Sequence, residues 1–240
     1  MTATISWTLA LEASQRAASI AVVDQAGRCE TEMLRADRRS DEDLLPAIDR
    51  LARRLALAPG GLDAVAVSTG PGGFTGLRVS IAVAKMFGEL GATIAAVPSA
   101  LVAAEAHRED TKATAISLLV ALAVKRHGAE TTAWCARCVH ERADWTMEVL
   151  GLLPVERILL ECDRIDALLA DEHVPVAIRD RATNAGVPCT PPRFTAGACL
   201  RVGLAMLEAG RPTDPQALGP IYPRPPEAVT LWEARYGAKD

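Results

Sequence analysis

The chain has no run of lysines and arginines. Of its 240 residues, 26 are basic and 30 acidic, for a formal charge of −4. Arg53-Arg54 and Lys125-Arg126 are isolated pairs. A protein that holds nucleic acid unaided presents a basic face, so strong direct binding to RNA or DNA is not expected. No apolar stretch reaches the roughly 20 residues needed to cross a bilayer. The longest, Ala113 to Val124, is interrupted by Ser117 and fits a buried strand. The start, Met-Thr-Ala-Thr-Ile-Ser-Trp, lacks the basic residues and apolar core of a secretion signal. The expectation is a cytoplasmic protein without membrane contact. Aromatics are also scarce, at 4%, so the core must pack small side chains closely.

Paired metal ligands are missing too. The four histidines, His107, His127, His140 and His173, are far apart in sequence, and none forms a His-x-x-x-His pair. No metal site is expected. Of six cysteines, Cys135 and Cys138 have C-x-x-C spacing behind Trp134, a spacing used in redox and zinc sites. No second close pair completes a tetrahedral set, and the surrounding residues read as a strand. Packing as small hydrophobes is the favoured reading, with the role of Trp134-Cys135-Ala136-Arg137-Cys138 left open.

What is present is a glycine loop. An apolar run, Ala64 to Val67, leads into Ser-Thr-Gly-Pro-Gly-Gly-Phe-Thr-Gly-Leu-Arg, residues 68–78, with four glycines in the seven positions from Gly70 to Gly76. A Walker loop ends in Gly-Lys, whereas Gly76 is followed by Leu77 and Arg78. The dinucleotide fingerprint needs glycine at its sixth position, which here is Thr75. Anion binding at the following helix start is one reading, with Gly70, Gly72, Gly73, Thr75, Gly76 and Arg78 as its residues. A tight strand-to-helix turn that only packs is the other. Thr75 is the expected helix cap.

The helix itself is apolar nearly all round. Leu77, Val79, Ile81, Ala82, Val83, Ala84, Met86, Phe87 and Leu90 leave it little polar surface. Such a helix is covered on more than one side. One cover is its own sheet, and a partner protein is a candidate for the second.

Periodicity places strands at residues 5–11, 17–23 and 29–34, a helix over 40–57 capped by Ser40, and a strand at 64–68. The glycine loop and its helix follow, then a strand at 93–97 and a helix from Ser99 to about His107. Residues 108–112 read as a linker. Beyond it come strands at 115–122, 132–139 and 145–150, and helical patterns at 154–160, 166–169 and 196–207. Two domains are expected, 1–110 and 111–240, the second smaller. Pro223, Pro225 and Pro226 around Arg224 predict an extended segment lying on the body.

At Gly70 to Arg78 the sequence resembles the TsaB (YeaZ) family, whose pattern is close to G-P-G-S-F-T-G-L-R, with Gly73 replacing Ser. The first strand and turn, T-L-A-L-E-A-S, the Leu44-Leu45-Pro46 helix start and the terminal I-Y-P-R-P-P-E-A-V are similar to the family as well. The resemblance implies an α/β, two-domain actin-like (ASKHA, ribonuclease H-like) fold with a degenerate second domain. It implies a non-catalytic subunit that requires no cofactor, pairs with the enzyme TsaD and the ATPase TsaE, and meets tRNA only through them during threonylcarbamoylation of adenosine 37. It also implies homodimers through the same N-terminal helices. Departures occur at Glu12, where the family has Asp, at Ser40 in place of His, and near Ala123-Val124-Lys125.

Under this reading Leu77, Ile81, Ala84 and Lys85, with Leu44 and Ile48 of the neighbouring helix, are the candidate interface residues. Ile81→Asp is expected to abolish docking and leave a folded chain. The alternatives are a kinase or phosphohydrolase of the same fold, using ATP or ADP with Mg²⁺ and Glu12, and a TsaB paralogue with a changed partner.

Overall fold

The structure, a computed structural model, describes residues 7–35, 40–58, 60–127, 130–170, 174–224, 232 and 235–237; residues 40–42, 123–127 and 130 are described by their backbone alone. The first half runs β1 (Trp7–Glu12), β2 (Ser19–Asp24), β3 (Cys29–Met33), α1 (Ser40–Leu55), β4 (Ala64–Ser68), α2 (Phe74–Glu89), β5 (Thr93–Val97) and α3 (Ser99–Thr111). Its sheet has the order β3-β2-β1-β4-β5. β1 pairs antiparallel with β2 and parallel with β4.

The second half repeats that order. β6 (Ile116–His127), β7 (Glu130–Glu141) and β8 (Asp144–Pro154) form a meander, followed by α4 (Val155–Glu161), β9 (Ala167–Ala170), α5 (Val176–Asn184), β10 (Cys189–Thr190) and α6 (Ala196–Glu208). Its sheet order, β10-β9-β6-β7-β8, is the first half's order again, with helices shorter on average. This mixed α/β architecture, with two five-stranded sheets and six α-helices among the described residues, is actin-like.

Period-two alternation in the strands decides which helix covers which face. Leu9, Leu11, Val65, Val67 and Ile94 point to the side covered by α1 and α2. Between them Ala10, Ala66 and Ala95 point to a layer that also holds α3 and α6. That layer lies between the sheets, and each half's last helix leans on the other half: α6 packs on β1, β4 and β5, and α3 on β6 and β7. The alanines are what let α6 approach closely. A Cβ at Gly203 of α6 would lie 2.4 Å from the Ala66 Cβ.

Three sequence expectations are corrected. Residues 108–111 are the last turn of α3, which stops where Lys112 turns left-handed at φ 54°. Residues 167–170 form β9, because a four-residue apolar run beside β6 gains a parallel ladder and is too short for a stable helix. The sequence reading also missed α5, of which only Ile178 and Ala182 are buried, too thin a stripe to stand out. Capping by the Ser40 side chain falls outside the described side chains.

Candidate docking surface

The glycine loop is closed by backbone packing. Thr69 N–H donates to the Val97 carbonyl at 2.9 Å, Ser99 N–H to the Gly70 carbonyl at 2.8 Å, and Gly73 N–H to the Ser14 carbonyl at 2.7 Å. A Cβ at Gly72 would stand 2.2 Å from Ser14 O, and one at Gly76 2.2 Å from Ala13 O. Real Cβ atoms do not approach that closely. The loop therefore needs glycine to lie against the turn after β1. α2 starts at Phe74 with Gly73 as its N-cap and no capping side chain. Thr75 stands inside the first turn, where it cannot act as the cap. Ser99 likewise does not cap α3, whose N-cap is Pro98; its hydroxyl is buried 2.8 Å from that of Ser68. Arg78 is occupied by rings: its guanidinium lies 3.7 Å over Phe74, and its Nε donates to the Tyr222 hydroxyl at 2.8 Å.

Glu12 is sealed beneath this loop at 1% exposure. Its Oε1 accepts the Ser14 N–H at 2.8 Å and the Ser14 hydroxyl at 2.5 Å, so it caps the turn. Its Oε2 has no hydrogen-bond partner. Burial raises the carboxyl above its usual range, while the bonds from Ser14, and to a lesser extent the nearby Ser68 hydroxyl, pull the other way. Among the described residues no group of three or more His, Cys, Asp and Glu side chains converges as metal ligands would.

The two faces of α2 separate cleanly. Leu77 and Ala84 are fully buried, and Ile81 nearly so; Leu44 of α1 is buried beside them. Lys85 and Ile48 are half-buried. Leu44, Leu77, Ile81 and Ala84, expected at an interface, are thus turned inward, the three on α2 toward their own sheet and Leu44 into the same core. The outward stripe is Phe74, Arg78, Ala82, Met86 and Leu90, spaced four apart and all exposed. It extends about 24 Å at roughly 1.5 Å per residue. Leu90, Phe74 and Met86 are large apolar side chains left in water, and Leu45 of α1 joins them. Sequence periodicity could not choose this face, because the helix is apolar on both sides.

Beside the stripe, Ile48, Ala52 and Leu57, with Phe87 of α2 and Leu9 and Val22 of the sheet, line an apolar cleft of about 380 Å³. Far from it, Cys135 and Cys138 lie on β7. Cys135 belongs to the layer under α4 and α5, and Cys138 to the inter-sheet layer. Burial pushes both thiols up to about 12. The packing reading of the C-x-x-C spacing is the one the structure displays.

Comparison with known proteins bears on this surface. The family model of TsaD, tRNA N6-adenosine threonylcarbamoyltransferase, matches residues 34–124, which include α1, the glycine loop and α2. No curated protein matches. A crystal structure of an uncharacterized protein with similarity to peptidase YeaZ, from Pseudomonas aeruginosa, superposes with a TM-score of 0.73 at 22% identity, covering 91% of this chain and 100% of that one. YeaZ from Pseudomonas aeruginosa superposes with a TM-score of 0.67 at 20% identity, covering 90% of this chain and 100% of its own. The chain is TsaB-like in fold along nearly its whole length.

Proposed function

We propose that the chain is a non-catalytic, TsaB-like subunit that docks on a TsaD-like enzyme, with a TsaE-like ATPase, and supports threonylcarbamoylation of adenosine 37 in tRNA. The observation that carries this reading is the exposed stripe Phe74, Arg78, Ala82, Met86 and Leu90. Contiguous apolar surface on a soluble protein marks an interaction site. Aromatic, Met and Arg side chains are the ones enriched at protein interfaces. Ala82 at the middle of the ridge leaves room for a partner helix to approach. The match to the TsaD model over α1 and α2 supports assigning the surface to the tRNA-modifying machinery. The net negative charge supports leaving the tRNA to the partner. The burial of Glu12 and its bonds to Ser14 favour a docking role over an ATP-dependent kinase, whose metal would need a carboxylate open to the cleft.

The test is co-purification with the TsaD-like protein of the same organism. Met86→Asp and Leu90→Asp place a charge on the outward face, where the folded chain tolerates it. Both should leave the protein folded and abolish capture. Capture at the wild-type level by both variants would overturn the reading.

A further inference from the structure

The glycine loop has a second neighbour besides the Ala13–Ser14 turn: the chain's own C-terminal segment. After α6 the chain returns along β5, where Thr213 N–H donates to the Ile94 carbonyl at 2.7 Å and Ala96 N–H to the Thr213 hydroxyl at 3.1 Å. Leu218 is buried among the residues under α1 and α2. The next residues cross the loop. Ile221 N–H donates to the Thr69 carbonyl at 2.7 Å. At Gly70, where φ is +101°, a Cβ would stand 2.9 Å from the Ile221 carbonyl oxygen and 2.9 Å from Leu77 Cδ1. Tyr222 stacks on Phe74 with ring centroids 5.8 Å apart and accepts from Arg78. Two residues later, Arg224 reaches the other half and donates to the Thr132 hydroxyl of β7 at 2.7 Å.

We propose that residues 221–224 are a strap that fastens the glycine loop and the first turn of α2 to the second sheet. Four consecutive residues carry three separate fastenings: backbone to the loop, ring and hydroxyl to α2, and guanidinium to β7. The strap leaves Phe74 and Tyr222 partly in water at 54% and 38% exposure. It holds these side chains in place without hiding them. A side chain held in its presented rotamer loses less entropy on binding. Whatever seats on Tyr222 or lifts it therefore changes the order of the first turn of α2, and gives the C-terminal segment control over one end of the outward stripe.

Amide hydrogen exchange on the full chain tests this. Tyr222→Ala should speed exchange in residues 69–78 at least tenfold and leave residues 64–67 of β4 unchanged. Arg224→Ala should speed exchange around Thr132. Tyr222→Phe keeps the ring and loses the hydroxyl, and should give a smaller increase confined to the first turn of α2. Unchanged exchange over 69–78 in Tyr222→Ala overturns the strap. So does a uniform rise across both sheets, which would make Tyr222 a general core support. Neither result bears on capture by Met86→Asp or Leu90→Asp, so the strap and the docking reading fail separately.

Discussion

Ile81 and Met86 are five residues apart on α2 and face opposite ways, Ile81 at 5% exposure against the sheet and Met86 at 42% in water. A charge at each position has a different consequence. At Ile81 a carboxylate enters an apolar layer formed by residues such as Leu11, Val67 and Leu44. The cost is on the order of 4 kcal/mol, comparable with the whole stability of a small domain. Ile81→Asp is expected to lower the urea midpoint sharply or prevent folding. Met86→Asp is expected to keep the wild-type midpoint within about 0.5 kcal/mol. Equal midpoints for the two variants would mean that the faces of α2 are assigned the wrong way round.

Gly76 offers a test of the loop. Its α-carbon faces the Ala13 carbonyl, and a methyl group there would need the loop or the β1 turn to move. Overpacking of this kind costs roughly 2–4 kcal/mol when backbone must shift. Gly76→Ala should lose about that much stability by chemical denaturation. Gly91 is the control: it is exposed at the end of α2, and nothing lies within 4 Å of the added Cβ, though its φ of +101° still imposes backbone strain. A Gly76→Ala loss no greater than that of Gly91→Ala would show that the loop gives way and that the close approach is not binding on the fold.

The buried thiols of β7 make a chemical prediction. With both raised to about 12 by burial, Cys135 and Cys138 carry on the order of a thousandfold less thiolate at pH 8 than an ordinary thiol. Alkylation of the native protein should label the exposed Cys29 and spare these two until denaturant is added. Peptide mapping of the labelled protein reads the result. Rapid native labelling of either would reopen a redox role for the C-x-x-C spacing.

Much of the fold was legible because its signals are local. Each strand of the three-strand start, the first helix and the glycine loop announces itself within its own short stretch, and their order alone distinguishes an actin-like half. The outward face of α2 was not legible, since Leu77 and Ile81 are no less apolar than Met86 and Leu90. Only packing on β1 and β4 separates them. β9 was misread for a related reason: Ala-Leu-Leu-Ala suits helix and buried strand alike, and its partner β6 lies some fifty residues away. The contact of Tyr222 with Phe74 and Arg78 spans about 150 residues of sequence. No periodicity within either segment foretells it, although the prolines around Arg224 did suggest an extended path along the body. Pro225 and Pro226 themselves lie outside the described residues.

Glu12 ties stability to pH with a definite sign. Its carboxyl is raised in the folded chain by burial, against the bonds from Ser14. In the unfolded chain it titrates at the ordinary value. Below that value both states are protonated, and the contribution of Glu12 is fully present. As pH rises beyond it, the unfolded chain releases the proton more readily, and stability falls until the folded carboxyl also ionises. The loss is about 1.4 kcal/mol for each pH unit between the two values. Glu12→Gln preserves the shape and the oxygen that accepts from Ser14, and removes the titration. The stability of the Gln variant relative to wild type should therefore be constant at low pH and climb as pH rises through and above the usual carboxylate range. Urea unfolding of both proteins from pH 4 to pH 8 measures it. A difference independent of pH would mean that Glu12 keeps its ordinary acidity in the fold, and that its unpartnered Oε2 is reached by water.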